Sequence, residues 1–395
     1  MKRVIAPTLA ALALVACSDS STAPVASAPE QLRLSAEAPF YSKGGSAIEG
    51  DYIVVFKDDV ASPLTKADEK IAKHGGTKKF AYAAALKGFA ATLDAGAVAA
   101  LRADPDVAYI EEDGVVTTSA TQSNATWGLD RIDQRNRPLS GTYTYTSTGT
   151  GVRAYIIDTG LQSNHPQFGS RASNVYNAIS GESSSDCNGH GTHVGGTVGA
   201  TTYGVAKNAL LRGVKVLSCS GSGSNSGVVA GIDWVRVNHI KPAVANMSLG
   251  GGFSSATNTA VNNLASAGVF TAVAAGNSNA DACNTSPASA ANATTVASST
   301  STDAKSSFSN WGTCVDLYAP GSSITSAWIN SGTNTISGTS MASPHVAGVA
   351  ALYKATYGDA SYSTIRSWLV NNATSGIISG NVTGTPNRLL YKAAL

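Results

Sequence analysis

Charge is scarce in this sequence. Asp, Glu, Lys and Arg make up 13% of its 395 residues, about half the ~25% usual in soluble domains. They balance to a net +2, so no bulk field favours nucleic acid or acidic lipid. Neither a basic stripe nor a nucleic-acid motif is present. Beyond the N-terminus no apolar run reaches the ~20 residues that a spanning helix needs. There is no CxxC pair, which argues against a zinc framework. There is no GxSxG, which argues against the usual lipase or esterase nucleophile turn. No internal repeat is seen. Gly, Ser, Thr and Ala fill the space that charge leaves. Hydrophobic residues are 43% of the chain, enough for a sizeable core, and the length exceeds one typical domain.

The first segment reads as an export signal. Lys2 and Arg3 precede an apolar run from Val4 to Ala16, interrupted only by Pro7 and Thr8. It ends Leu14-Val15-Ala16-Cys17. This resembles a bacterial lipoprotein box with Cys17 as the lipidated residue, and a plain signal peptide ending in small residues is the competing reading. The four other cysteines are Cys187, Cys219, Cys283 and Cys314. In an exported chain they suggest two disulfides, with three possible connectivities. Sequential pairing would span 32 and 31 residues, each loop contributing on the order of 3–4 kcal/mol by the chain-entropy model. Free or metal-bound thiols are the alternative.

Residues 18–47 are rich in Ser, Ala, Pro and Thr and read as a disordered linker. From 48 to 116 the pattern is compact. Strands are expected at Asp51–Lys57, Lys78–Tyr82, Gly88–Leu93 and Val107–Glu111, and helices at Ala67–Lys73 and Ala95–Arg102. That β-α-β-β-α-β order is the ferredoxin-like split unit. Thr117–Thr126 is polar and reads as structureless, a cleavage region. From 127 to 395 short apolar runs alternate with helical stretches, the mark of an α/β fold with a mostly parallel sheet. Strands are expected at Val152–Ile157, Leu210–Val216, Val244–Met247, Val269–Ala274 and Thr295–Ser298. Helices are expected at His193–Ala200, Gly227–Asn238, Thr257–Ala267, Met341–Tyr357 and Ser363–Asn371.

Three segments carry chemistry. Asp158 ends the apolar strand run AYIID and is followed by Thr159-Gly160. Open α/β sheets place their sites at such carboxyl ends, although a turn-forming or capping Asp looks the same. His190 stands among glycines in NGHGTHVGG, where backbone can approach closely. A metal-binding or packing pair with His193 is the bland alternative. Ser340 lies in SGTSMASPHVAG at the start of a long small-residue helix, so its hydroxyl would sit at the positive end of the helix dipole. Either Thr339 or Ser337 can serve as that helix's cap.

GTSMASPH resembles the nucleophile motif of the subtilisin family, HGTHVGG its histidine motif and AYIIDTG its aspartate motif. The order Asp, His, Ser is that family's order. The resemblance implies a catalytic triad of Asp158, His190 and Ser340, with Ser340 forming an acyl-enzyme. It implies Asn277, in the AAGN that ends a strand, as the oxyanion-hole side chain beside the backbone N–H of Ser340. It implies a three-layer subtilisin-like fold. Ser248, Leu249 and Gly250 resemble one edge that pairs with extended peptide, and Ser220 and Gly221 the opposite edge. Ala274, Ala275 and Gly276 would wall an S1 pocket for large apolar or aromatic groups.

Within the family the likeness is to the proteinase K branch and its aqualysin-like bacterial members. ATQSNATWGLDRIDQR, from Ala120, resembles their mature N-terminus, and the four cysteines resemble the positions of the two aqualysin disulfides. The unit at 48–116, with YIVVFK and VAYIEEDGVV, resembles the propeptide that acts as chaperone and inhibitor, its tail occupying the active site until cut. No added C-terminal domain is expected. Structural calcium is implied at Asp316 with the carbonyls of Ala291 and Ala293, and at Asp130, Asp133 and Gln134; hard oxygen donors suit Ca²⁺. No catalytic cofactor is implied. The expected protein is a secreted monomer with broad specificity for protein substrates, with no nucleic-acid partner and no stable membrane association once mature. Three other readings remain open: an inactive relative kept as a surface binding protein, a lipase or esterase, and a lipid-anchored structural protein. Each lacks the broken triad, the GxSxG or the account of the four motifs that it needs.

Overall fold

The structure is a computed structural model that describes residues 37–43, 47–114 and 119–395. The export signal, Cys17 and most of the 18–47 linker lie outside the described residues. The chain divides into two compact units, Met1–Gly114 and Val115–Leu395.

In the first unit, strands Ala47–Phe56, Thr77–Tyr82, Gly88–Thr92 and Val107–Gly114 alternate with helices Pro63–His74 and Ala95–Arg102. The first strand pairs antiparallel with both the third and the fourth, and the third with the second. This is the ferredoxin-like order, fourth-first-third-second. Local chemistry sets the helix starts. Pro63 occupies the first turn, where its missing N–H costs nothing, and the Asp94 carboxylate accepts the Ala97 N–H at 2.7 Å. Val54, Phe56, Phe89, Leu101 and Ile110 form the core beneath. Phe40–Tyr41, expected in the disordered linker, instead adds a fifth strand parallel to Val107–Gly114. The Ile110 N–H donates to Pro39 O at 3.0 Å, and Tyr41 stands edge-on to Tyr109 with ring centroids 5.5 Å apart. Two aromatics and a sheet edge outweigh the disorder-prone composition around them.

The second unit is built on a nine-stranded sheet in the order Thr374–Ser375, Arg388–Leu389, Leu317–Pro320, Thr294–Ser299, Phe270–Ala274, Ala243–Met247, Arg153–Asp158, Leu210–Lys215, Ala172–Asn177. All neighbours are parallel except the outermost pair. Apolar side chains on one face pack under helices His190–Gly199, Thr339–Tyr357 and Tyr362–Asn372. Those on the other pack under Asn225–Asn238 and Ser255–Ser266. The result is three layers. The chain begins the sheet at Arg153–Asp158, third from one edge, and later strands lie on both sides of it. That makes the carboxyl end of this strand the topological switch point.

Several features depart from the sequence reading, among them the unexpected sheet strand Leu317–Pro320 and the hairpin of Ile324–Trp328 with Gly332–Ile336. Ala120–Ser123, inside the stretch expected to be structureless, pairs antiparallel with Thr142–Tyr145; a partner some twenty residues on, with buried Tyr143, supplies what the polar segment lacks. Ala172–Asn177 forms the edge strand although its residues are mostly polar, because every one is only half-buried there. Two of the central helices start earlier than periodicity suggests, at His190 and Thr339, because Gly189 and Gly338 cap them. Ser337, expected as a possible cap, instead accepts the Ser323 N–H at 2.8 Å. The cysteines pair sequentially, Cys187 with Cys219 and Cys283 with Cys314. Among the described residues no helix is long and apolar enough to cross a membrane.

Candidate active site

Asp158 sits at the switch point and is fully buried. Its Oδ1 accepts the Thr159 N–H at 2.8 Å and faces His190 Nδ1 at 2.8 Å. A carboxylate can only accept, so Nδ1 carries the proton and Nε2 is left free to take one. Asp158 Oδ2 is buried and accepts no hydrogen bond from a described protein group.

His190 opens its helix behind Gly189, whose φ of +108° is a left-handed conformation that favours glycine. A Cβ at Gly189 would also meet the Trp328 ring at 2.4 Å. Burial pulls the imidazole toward its neutral form. The charge and hydrogen bond of Asp158, with the charge of Asp186 behind, pull the other way and prevail, so the ring titrates above the ordinary histidine value.

Ser340 is the second residue of its helix and half-buried. Its Oγ donates to the Ser248 carbonyl at 3.1 Å, and Ser248 Oγ donates back to the Ser340 carbonyl at 2.7 Å. The hydroxyl thus rests on the Ser248 carbonyl and makes no hydrogen bond to His190. Transfer of its proton to Nε2 requires a change of rotamer, as catalytic bonds often tighten only when substrate binds.

Asn277 is exposed. Its Oδ1 accepts the N–H and the hydroxyl of Thr339 at 2.8 and 2.9 Å. With the oxygen so fixed, the amide NH₂ must point away from Thr339. Thr339 Oγ1 also accepts the Gly276 N–H at 3.1 Å, so one buried hydroxyl ties the AAGN loop to the residue before Ser340. Asn310 supports that loop from below, donating to Ala275 O at 2.9 Å and accepting the Ser278 and Ala280 N–H groups at 3.0 Å.

Two grooves meet at this centre. One, of 470 Å³, is lined by His190, Gly221, Ser248, Leu249 and Gly250 among others. The second, of 320 Å³, is lined by Ala274, Ala275, Gly276, Asn277 and Ser340, and shares Leu249 and Gly250 with the first. Ser220 lines neither; its hydroxyl pairs with that of Ser218 at 2.8 Å. No charged side chain lines the second groove.

Sequence reasoning missed several supports: Thr339, Asn310 and above all Asp186. Asp186 lies two residues before Asn188-Gly189, an Asx-turn signal that was legible.

The two expected calcium sets differ in how they fit. Asp316 Oδ1 meets the Arg366 guanidinium and Oδ2 accepts the Thr295 N–H at 2.8 Å. Burial pushes this carboxyl above its usual value, Arg366 opposing. Arg366 thus pairs with the one carboxylate of this set, whose other donors would be the carbonyls of Ala291 and Ala293. The other set is richer in oxygen. Asp130 accepts from Ser140 and Gly141, Asp133 accepts the Thr144 N–H at 2.7 Å, and Gln134 lies between the carbonyls of Asn136 and Pro138. Asp133 pairs with the Lys392 ammonium at 2.9 Å, and Asp130 is in no ion pair among the described residues, so the two carboxylates and one ammonium leave one negative charge. Its donors fit a hard cation. Glu182, Cys187 and Cys219 also converge, but both sulfurs are in a disulfide and have no thiolate to offer.

Residues 149–389 match peptidase S8, the subtilase family, and residues 51–119 match the peptidase inhibitor I9 family. The chain belongs to the subtilase family. An extracellular serine proteinase of Thermus sp. (strain Rt41A) is 52% identical over 97% of this chain and 97% of its own length. Proteinase R of Parengyodontium album is 46% identical over 90% of this chain and 92% of its own. The crystal structure of a cold-adapted subtilisin-like serine proteinase is 56% identical, with a TM-score of 0.68 over 69% of this chain and 100% of that one. The three-layer sheet is therefore the subtilisin-like fold, and this subtilase is a serine endopeptidase preceded by an I9 inhibitor unit.

Proposed function

We propose that Asp158, His190 and Ser340 are the catalytic triad of this subtilase and Asn277 its oxyanion-hole side chain. The carrying observation is the 2.8 Å Asp158–His190 bond beside an Asn277 amide held by the residue that precedes Ser340. Ser340 Oγ leaves Ser248 and gives its proton to His190 Nε2 as it attacks the scissile carbonyl. Asp158 keeps the imidazole in the right tautomer and stabilises its charged form. The Asn277 NH₂ and Ser340 N–H stabilise the tetrahedral oxyanion. His190 then protonates the leaving amine, and water, deprotonated by the same ring, hydrolyses the acyl-enzyme.

Substrate lies extended between Gly221 and Ser248–Gly250, paired through its backbone, which favours broad specificity. The uncharged 320 Å³ groove walled by Ala274–Gly276 suits a large apolar or aromatic P1 group. The chain is made as a secreted zymogen whose I9 unit inhibits until self-cleavage near Ala120, and the mature form works as a monomer. Calcium at Asp130, Asp133 and Gln134 braces the start of the mature unit.

The test is the intact mass of exported wild type beside Ser340→Ala. Loss of the first ~119 residues (a boundary read from the family likeness) by wild type alone supports self-cleavage by Ser340. Retention by both would leave the binding-protein reading standing.

A further inference from the structure

Asp186 accepts five hydrogen bonds and is nearly buried. Its Oδ1 accepts the Asn188 and Gly189 N–H groups at 2.9 Å and the Thr159 hydroxyl at 2.9 Å. Its Oδ2 accepts the N–H and hydroxyl of Thr192 at 2.9 and 2.6 Å. The bonds to Asn188 and Gly189 alone would make an ordinary Asx turn. The other three reach further. Thr159 is 27 residues away and follows Asp158, and Thr192 lies in the first turn of the His190 helix. Thr159 Oγ1 in turn accepts the Gly191 N–H at 2.9 Å. A carboxylate and a hydroxyl thus strap the end of the Asp158 strand to the start of the His190 helix.

The far side is braced too. The buried Lys215 ammonium donates to Thr159 O at 2.9 Å and pairs with Glu182 at 3.2 Å. There is no slack in this junction: a Cβ on Gly191 would meet Gly160 O at 2.1 Å.

We propose that Asp186 is a positioning residue of this catalytic site, clamping the Asp158 turn to the His190 turn so that the Asp158–His190 bond is formed before substrate arrives. The inference rests on the triad reading above. Asp186 touches neither substrate nor reacting atoms; it acts through Thr159, Gly189 and Thr192. The charged groups facing the pair are Asp158 itself, Asp186, Lys215 and Glu182, with His193 on the same helix as His190.

The test uses the full chain carrying Asp186→Asn. The amide keeps the shape but turns an NH₂ toward donors that need an acceptor. Self-cleavage slows, and the matured variant is titrated with a fluorophosphonate, then assayed on a peptide p-nitroanilide. A misplacement near 1 Å costs about 10²-fold, so kcat per titrated site falls on that order while KM stays within about twofold. The acid limb of kcat/KM moves to lower pH, because a negative charge supporting the imidazolium is gone. A fall in titratable fraction alone, with kcat per site and the limb unchanged, overturns the proposal. If Asp186→Asn does not fold, Thr159→Val decides: it removes the strap without changing shape, and unchanged kcat per site sinks the idea. Failure of wild type to label at Ser340 would instead refute the triad reading, whatever Asp186 does.

Discussion

Thr339→Val isolates the oxyanion side of the site. The substitution keeps the shape of a fully buried side chain and deletes one hydroxyl. That hydroxyl donates to Asn277 Oδ1 at 2.9 Å and accepts the Gly276 N–H at 3.1 Å. Asn277 keeps one anchor, the Thr339 N–H at 2.8 Å. Losing one of two bonds to the amide oxygen is worth about 1 kcal/mol, and 1.36 kcal/mol is tenfold in rate. We expect kcat to fall about five- to tenfold per titrated active site, with KM nearly unchanged because the ground-state carbonyl is bound less closely than the oxyanion. Removing the donor outright in Asn277→Ala should cost about 10²–10³ in kcat, a magnitude taken from loss of this donor in a subtilisin. The decisive assay is the double mutant. If Thr339 acts through Asn277, Thr339→Val changes nothing in the Asn277→Ala background. Additive losses, or wild-type kcat in Thr339→Val, would refute the pinning argument.

The acid limb of kcat/KM should lie above the ordinary histidine value of about 6.5: the base works only when neutral, and Asp158 holds its proton to higher pH; a limb below that value contradicts the electrostatic reading. His193 and His345 are buried neutral, each pushed down to about 4 by desolvation. The unfolded chain binds those protons first, so stability is present above about 6.5 and is lost as pH falls toward 4; urea melts of inhibited enzyme that are flat from pH 7 to 4.5 would count against this. Cys283→Ser with Cys314→Ser opens a loop of 31 residues and should cost about 3–4 kcal/mol, read as a lower denaturant midpoint with a slope no smaller than wild type's, because the unfolded chain is freed to expand; no shift refutes it. Chelation should lower the melting temperature of wild type, and Asp133→Asn should remove that sensitivity; a chelation effect that persists in Asp133→Asn places calcium elsewhere.

Most strands and helices were legible because periodicity and local caps are written in nearby residues. Asp94 before Ala97 and AYIID running to Asp158 need no tertiary information, although the helix expected from Ala67 starts four residues earlier, at Pro63. The same is true of the three motifs and their order, since each needs only a few adjacent residues to shape its turn. What stayed hidden depends on partners distant in sequence. Phe40–Tyr41 and Ala120–Ser123 look polar or disordered until a sheet edge and a hairpin partner appear. Ala172–Asn177 has no apolar alternation because an edge strand need not bury a face.

The sequence by itself determined that a subtilase core would form, which turns would carry Asp158, His190, Asn277 and Ser340, and that two disulfides could close. The tertiary structure decided the rest: which cysteines meet, that Arg366 lies against Asp316, that Ser340 rests on Ser248, that Asp186 links Thr159 to Thr192, and that Thr339 links Gly276 to Asn277. The division has a physical cause. Turn and helix preferences are set within about one turn of chain, whereas a hydrogen bond between residues 27 apart exists only after the core has brought the end of a strand against the loop before a helix.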